Sequence, residues 1–209
     1  LFIIVMVIMI AGTIVSEEFN KGTIKLLLVK PYSRKKILLA KFVTVLFMIV
    51  FCILAVIVMQ LIVGGIIFGF DSLSIPVLKY NFHTNTLQQM NIFQYLGISI
   101  VCKLPIIVLL ATLSFAFSTL FTNSAVAIAL PLLGYMGSEV INLLAVQYKV
   151  TFLKFFVTPN WDFTNYMFGK LPIMEGLTAG FSAIICIAYF IIMMIPTFMV
   201  FKRKNIKNI

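Results

Sequence analysis

The chain has 209 residues, of which 62% are hydrophobic and 11% are charged. Soluble domains are about 45–50% apolar and about 25% charged, so this composition indicates an integral membrane protein. The net charge of +10 does not indicate nucleic-acid binding, because the basic residues flank apolar stretches and do not line one amphipathic face. The three cysteines show no paired spacing and predict neither a disulfide framework nor a metal site.

Apolar stretches predict an all-α fold, a polytopic membrane helical bundle that forms a single transmembrane domain over residues 1–209. The first stretch is short of the roughly 20 residues that cross a bilayer. Because the chain also lacks an initiator Met, we expect Leu1 to be a cut point inside a longer protein with six spans. The five predicted spans cover residues 1–15, 37–70, 95–121, 125–146 and 176–201.

Two segments are predicted as loops on the outer side of the membrane, residues 71–94 and 147–175. The second is rich in aromatic residues and is therefore expected at the level of the lipid headgroups. With the remaining connections inside, eleven Lys and Arg residues lie on the cytoplasmic side and four lie outside. This distribution agrees with five alternating spans in a cell membrane and with a cytoplasmic C-terminus.

The polar segment, residues 16–41, reads SEEFNKGTIKLLLVKPYSRKKILLAK and separates the first two spans. A break at Gly22 followed by an N-cap at Thr23 predicts a short amphipathic helix over residues 24–29. A basic linker attracted to anionic lipid, at about 1 kcal/mol per Lys or Arg, explains the positive charges. It does not explain the two carboxylates, Glu17 and Glu18, at an anionic membrane surface.

Lys41 begins the long apolar run of the second span, and we expect its ammonium to extend to the headgroups. Ser114, Ser118 and Thr122 recur at intervals of four in the third apolar stretch. This spacing places small polar groups on one helix face, which is typical of a face that packs against another helix.

Two ionisable residues fall inside predicted spans, Lys103 and Glu139. A charge at the bilayer centre costs about 2.5–3.5 kcal/mol on insertion scales, so an intramembrane charge is by default a functional candidate. Lys103 can instead sit at the outer interface, because residues 104–121 alone are long enough to span. Glu139 shares a helix face with Asn142 and can lie at the outer end of its helix. These three residues are the candidates for a substrate path.

Residues 17–42, EEFNKGTIKLLLVKPYSRKKILLAKF, resemble the loop after the second membrane helix of type 2 ABC transporter permeases. In that family an acidic residue, Gly-Thr-Ile-Lys, a leucine pair, Pro, Ser-Arg and Lys recur in this loop. Residues 114–136, SFAFSTLFTNSAVAIALPLLGYM, are similar to the turn between the fourth and fifth helices of the family. The first membrane helix of the family has no counterpart in the chain.

The resemblance implies that loop 16–36 holds a short cytoplasmic coupling helix, which docks on a separate ATP-binding subunit. It implies an exporter permease that works as a homodimer or with a related permease, with ATP and Mg²⁺ held by the partner. The chain contains no G-x-x-x-x-G-K-[ST] string, so we expect no enzymatic activity and no cofactor of its own. By the resemblance, the coupling positions are Glu18, Gly22, Thr23, Ile24, Lys25, Leu27 and Arg34.

Two alternatives stay open at this point. A secondary transporter driven by an ion gradient requires a midplane ionisable network or broken helices in two repeated halves. The sequence offers only Lys103 and Glu139 for such a network and shows no internal repeat. A membrane protein that transports nothing has the same composition. Dependence of activity on a partner ATPase separates the exporter from both alternatives.

Overall fold

A computed structural model describes residues 1–24, 32–82, 85–148, 150–170, 172–174 and 176–203, apart from the side chain of Ser72. The predicted coupling helix, with Lys25 and Leu27, lies outside the described residues except for Ile24. In the described part, five helical segments are long and apolar enough to cross a membrane. The predicted all-α polytopic bundle is therefore confirmed, and the chain is a multi-pass membrane protein.

The first candidate span, Phe2–Asn20, joins two helices. The four remaining candidate spans are single helices, and a short helix precedes the last of them. The helices are α1 Phe2–Thr13, α2 Ser16–Asn20, α3 Arg34–Phe68, α4 Ile92–Leu120, α5 Ser124–Gln147, α6 Thr164–Met167 and α7 Ala179–Arg203.

The helices of the first two candidate spans begin and end at other residues than the predicted spans. The first span has 19 residues and includes the start of the polar segment, because Ser16 is fully buried and its hydroxyl donates to the Gly12 carbonyl at 2.6 Å. The helix α3 begins at Arg34, where the Ser33 carbonyl accepts from the Lys36 amide at 2.9 Å. It ends before Gly69, whose φ of +79° is a left-handed conformation that glycine adopts without strain.

The predicted loop 71–94 contains more structure than the sequence analysis assigned. A 3₁₀ helix, Phe70–Ser74, is followed by the antiparallel strands β1 Val77–Asn81 and β2 Thr86–Met90. Their register pairs Val77 with Met90 and Asn81 with Thr86. Each strand has only five residues, which is too short for a period-2 pattern to stand out in a polar stretch.

The chain divides into two compact units. Unit 1 consists of Leu1–Cys52, Ile107–Ser138 and Ile187–Ile209, and unit 2 consists of Ile53–Ile106 and Glu139–Cys186. A single domain over residues 1–209 stays a prediction.

Aromatic packing joins α3, α4 and α7 in unit 1. The ring of Phe42 lies 5.3 Å from the ring of Phe115 and 6.0 Å from that of Phe190, measured between centroids. Phe42 and Phe115 are buried, and aromatic pairs at this separation stabilise a core beyond the area that they bury. The core of unit 1 therefore depends on contacts between residues far apart in the sequence.

Asn160 organises the described part of segment 147–175 in unit 2. Its side chain is fully buried, and its amide donates to the carbonyls of Lys154 and Phe156, both at 2.7 Å. Its side-chain oxygen accepts from the Ser182 hydroxyl at 2.7 Å. The predicted headgroup loop is thus a folded segment that is hydrogen-bonded to α7.

Substitution of Gly12 tests the close approach within unit 1. A Cβ at this position would lie 2.8 Å from Cγ1 of Ile128 and 2.9 Å from Oγ of Ser114. We expect Gly12→Ala to destabilise the protein by about 1–3 kcal/mol in unfolding experiments in detergent, because the packed neighbours must shift. Gly137→Ala is the control, since a Cβ there meets no described residue within 4 Å. An equal effect of the two substitutions would contradict the prediction.

Candidate docking site on the polar segment

The described coupling candidates differ in their exposure. Gly22 has a φ of +67°, which confirms the predicted break after α2. Thr23 is exposed, whereas Ile24 is fully buried. Glu18 and Arg34 are half-buried. Exposed and buried residues therefore alternate within a few positions of the polar segment.

The structure pairs Lys41 with Glu18, so the expectation that Lys41 extends to the headgroups was wrong. Its ammonium contacts the Glu18 carboxylate and donates to the carbonyl of Ile14 at 2.7 Å. The Lys41 side chain is only 12% exposed and that of Glu18 is 24% exposed. Two oxygen acceptors within the protein hold the ammonium, and a partly buried ion pair is screened less than one in water.

The second oxygen of Glu18, Oε2, is buried and has no hydrogen-bond partner among the described residues. A buried carboxylate needs compensation for the water that it loses. The Lys41 ammonium is the cation that supplies it here. The position of Glu18 therefore depends on the first turns of α3.

The polar face of α4 packs as the spacing predicted. The Ser118 hydroxyl oxygen accepts from the backbone amides of Val15 at 3.2 Å and Ser16 at 2.9 Å, where α1 gives way to α2. The Ser114 hydroxyl lies 2.8 Å from the Ile8 carbonyl and 3.0 Å from the Ala127 carbonyl. Thr122 is exposed and lies beyond the end of α4, so it does not share this role.

The end of α7 contacts both ends of the polar segment. Phe19 in α2 is 1% exposed, and its ring meets that of Phe201 edge to face at 6.4 Å. Arg34 at the start of α3 donates from Nη1 to the Lys202 carbonyl at 3.2 Å. A cation is stabilised at this position, because the last carbonyls of a helix carry partial negative charge.

These contacts tie the base of the polar segment to three spans. Ser118 connects it to α4, Lys41 to α3 and Phe201 to α7. The surface beyond this base carries Thr23 and the exposed ion pair between Lys21 and Glu17. The arrangement can transmit a displacement of the segment to the spans, because close-packed and hydrogen-bonded groups move together.

The three candidates for a substrate path lie in unit 2. Lys103 on α4 and Glu139 on α5 are exposed, and Asn142 is half-buried. The side-chain oxygen of Asn142 is buried without a hydrogen-bond partner among the described residues. No ion pair joins Lys103 to Glu139 among the described residues. Their role in a substrate path stays a prediction.

The sequence analysis missed the structural roles of Lys41 and Phe19. One signal pointed to Lys41: two carboxylates at a surface expected to be anionic required a cation of the protein itself. The sequence contains several basic residues that could serve, and their spacing does not distinguish them. Phe19 gave no signal, because a single aromatic residue in a charged stretch has no periodicity.

Lys41→Met tests the ion pair with Glu18. We expect a loss of about 2 kcal/mol in unfolding free energy, below the 3–5 kcal/mol of a fully buried pair, because both side chains keep some exposure. Adding Glu18→Gln should recover part of the loss, since the unpaired charge is gone. Lys21→Met is the matched control: its side chain is 69% exposed in its pair with Glu17, and exposed pairs contribute about 0–1 kcal/mol. A larger loss in the control would contradict this assignment.

Ser118→Ala removes the acceptor shared by the amides of Val15 and Ser16. Unsatisfied buried donors cost about 1–3 kcal/mol, so we expect a loss of stability in this range. Thr44→Ala is the control, because the Thr44 hydroxyl is exposed and donates to the Ala40 carbonyl of its own helix. Hydrogen exchange at the two amides should rise in Ser118→Ala alone; unchanged protection would show that the hydroxyl does not hold them.

A family model described as protein of unknown function (DUF2705) matches residues 1–207. The uncharacterized protein YhcI of Bacillus subtilis (strain 168) is 30% identical over 202 residues, which are 96% of this chain and 64% of YhcI. The chain thus spans less than two thirds of the length of that relative. The uncharacterized membrane protein YdbK of the same organism is 29% identical over 200 residues, 96% of this chain and 76% of YdbK. No solved structure matches the chain.

These matches overturn the family assignment made from the sequence. The resemblance to type 2 ABC transporter permeases rested on short strings around the polar segment and the turn after α4. The matching family model extends over residues 1–207 and is that of a different family. Short apolar and basic strings recur in unrelated membrane proteins, because the bilayer selects similar residues at the ends of spans.

Proposed function

The chain belongs to the DUF2705 family of proteins of unknown function, and we propose from the geometry of its polar segment that it is the membrane-spanning subunit of an ATP-driven exporter. ATP and Mg²⁺ would bind to a separate subunit, which docks on the polar segment. This chain would supply the membrane path and no catalytic residue.

The observation that carries the proposal is the anchoring of the polar segment to three spans. A loop that only connects two helices needs no internal ion pair and no buried phenylalanine. Here Glu18 is held by Lys41, and Phe19 packs against Phe201. A force applied to this segment by a docked partner would reach α3, α4 and α7, and rigid-body displacement of such helices is a common way to open a path.

The exposed part of the segment suits a docked protein. Thr23 directly follows the left-handed turn at Gly22 and is exposed, and the ion pair of Lys21 with Glu17, just before that turn, is exposed as well. An amphipathic helix seats its apolar face in a groove of a partner and leaves charges at the rim. Residues 24–29 carry this pattern in the sequence. Among the predicted coupling positions, Thr23 would contact the partner, whereas Glu18 and Ile24 would hold the segment against the rest of the protein.

The orientation and assembly follow from the same proposal. The polar segment and the C-terminal tail would face the cytoplasm, where ATP is available, as the eleven basic residues on that side favour. Two copies, or one copy with a related permease, would form the path. The charges of Lys103 and Glu139, which are exposed on α4 and α5, would then face a second copy or the outer interface.

The turn at Gly22 provides the test. A Cβ at Gly22 meets nothing within 4 Å among the described residues, so the φ of +67° is the constraint that a substitution there tests. Asparagine tolerates this conformation, whereas a β-branched valine is strained in it by about 1–2 kcal/mol. We expect a P-loop ATPase to co-purify with the native protein and with Gly22→Asn, and at least about fivefold less with Gly22→Val.

The co-purified protein is identified by mass spectrometry and by ATP hydrolysis. Membrane insertion and size-exclusion profiles must be the same for both variants, so that misfolding does not explain the loss. If no ATPase accompanies the native protein, or if Gly22→Val retains it fully, the proposal of an ATP-driven subunit is wrong. A self-contained membrane protein would then be the better description.

A further inference from the structure

A groove of about 400 Å³ opens in unit 1 where α7 ends and α3 begins. Its walls are apolar and come from the last turns of α7, whereas its rim is basic. Arg34 donates to the Lys202 carbonyl at 3.2 Å beside this rim, so the two helix ends are held together. The lining residues are Met194, Ile195, Phe198, Met199, Lys35, Lys202 and Arg203.

The three cations of the rim have no carboxylate partner among the described residues. Unit 1 contains two acidic residues in that part of the chain, Glu17 and Glu18. Glu17 pairs with Lys21, and Glu18 pairs with Lys41. Within the described residues, the positive charge of the rim is therefore open to an anionic group.

The apolar part of the groove fits within one leaflet of a bilayer. On α7 the apolar lining runs from Met194 to Met199, five residue steps or about 8 Å of helix, and the basic residues Lys202 and Arg203 follow. Half of the hydrocarbon core is about 15 Å thick, so in a membrane the apolar walls would lie beside acyl chains and the rim would lie at the headgroups. Methionine side chains adapt to an irregular apolar chain, since they rotate freely and are polarizable.

We propose that this groove is a binding site for an anionic glycerophospholipid, with the phosphate between Lys35, Lys202 and Arg203 and an acyl chain along Met194 and Phe198. An occupant must be apolar over the walls and negative at one end, which is the chemistry of such a lipid. Basic pockets between membrane helices recognise anionic headgroups in this way, and arginine forms paired hydrogen bonds with phosphate. A helix of a partner protein would cover the apolar walls, but it would also need several carboxylates at the height of the basic rim.

This inference does not depend on the proposed exporter function. The site requires only the membrane and the residues of unit 1 that line the groove. A lipid held between the ends of α3 and α7 would also brace Arg34, because the same ends carry its hydrogen bond to Lys202. The failure of an ATPase to co-purify would leave the lipid site unaffected.

Native mass spectrometry of the delipidated protein, purified at full length in detergent, tests the site. Phosphatidylglycerol and phosphatidylcholine are titrated separately, and glycerol 3-phosphate provides the phosphate without acyl chains. We expect phosphatidylglycerol to bind about tenfold more tightly than phosphatidylcholine, and glycerol 3-phosphate to bind more weakly than either. Tighter binding of glycerol 3-phosphate than of phosphatidylglycerol would assign the site to a free phosphate ester and overturn the proposal.

Two variants locate the binding. Lys202→Gln/Arg203→Gln should abolish the preference for phosphatidylglycerol. Met194→Trp should weaken the binding of both lipids, because the larger side chain fills the groove. Lys21→Gln/Lys36→Gln is the control, because it also removes two exposed positive charges from unit 1 but none from the groove. Equal loss of the preference in the control, or its persistence in Lys202→Gln/Arg203→Gln, would overturn the proposal. Occupation of the groove by a second copy of the chain, in place of lipid, would also overturn the proposal.

Discussion

Unit 1 depends on one constraint: backbone amides that water does not reach must find hydrogen-bond acceptors within the protein. The first span is interrupted between α1 and α2, where Val15 and Ser16 are fully buried, so their amides need acceptors within the protein. One hydroxyl, that of Ser118, accepts from both Val15 and Ser16. This contact fixes the start of the polar segment against α4, and the positions of Glu18 and Phe19 follow from it.

The charges of the polar segment and of the end of α7 separate into two classes. Glu18 and Lys41 satisfy each other inside the protein, at exposures of 24% and 12%. Lys35, Lys202 and Arg203 stay exposed and surround an apolar groove. A sequence does not distinguish these classes, because both appear as basic residues beside an apolar span. The distinction matters for the two proposals, since a paired charge is satisfied within the protein whereas an unpaired one is free to attract an anionic group.

The two proposals use adjacent surfaces of unit 1 for different purposes. The exposed residues on either side of Gly22 would receive a protein, and the groove at the end of α7 would receive a lipid. A hydrogen bond joins Arg34 of the polar segment to Lys202 of the groove and so connects the two regions. An anionic lipid that steadies this bond would stiffen the connection between the polar segment and α7. The membrane itself would then contribute to the coupling that the exporter hypothesis requires.

The sequence by itself determined the class of the protein. Composition predicted a multi-pass helical bundle, the spacing of Ser114 and Ser118 predicted a packing face, and Gly22 predicted a break, because these features depend on local periodicity and on the bilayer. The same local information led to a wrong family, since the bilayer imposes similar strings on unrelated proteins. Only the tertiary structure decided that Lys41 pairs with Glu18, that Asn160 lies at the centre of a hydrogen-bonded network, and that a groove forms beside Lys202. These features join residues that are distant in the chain, and their contacts exist only after the helices have packed.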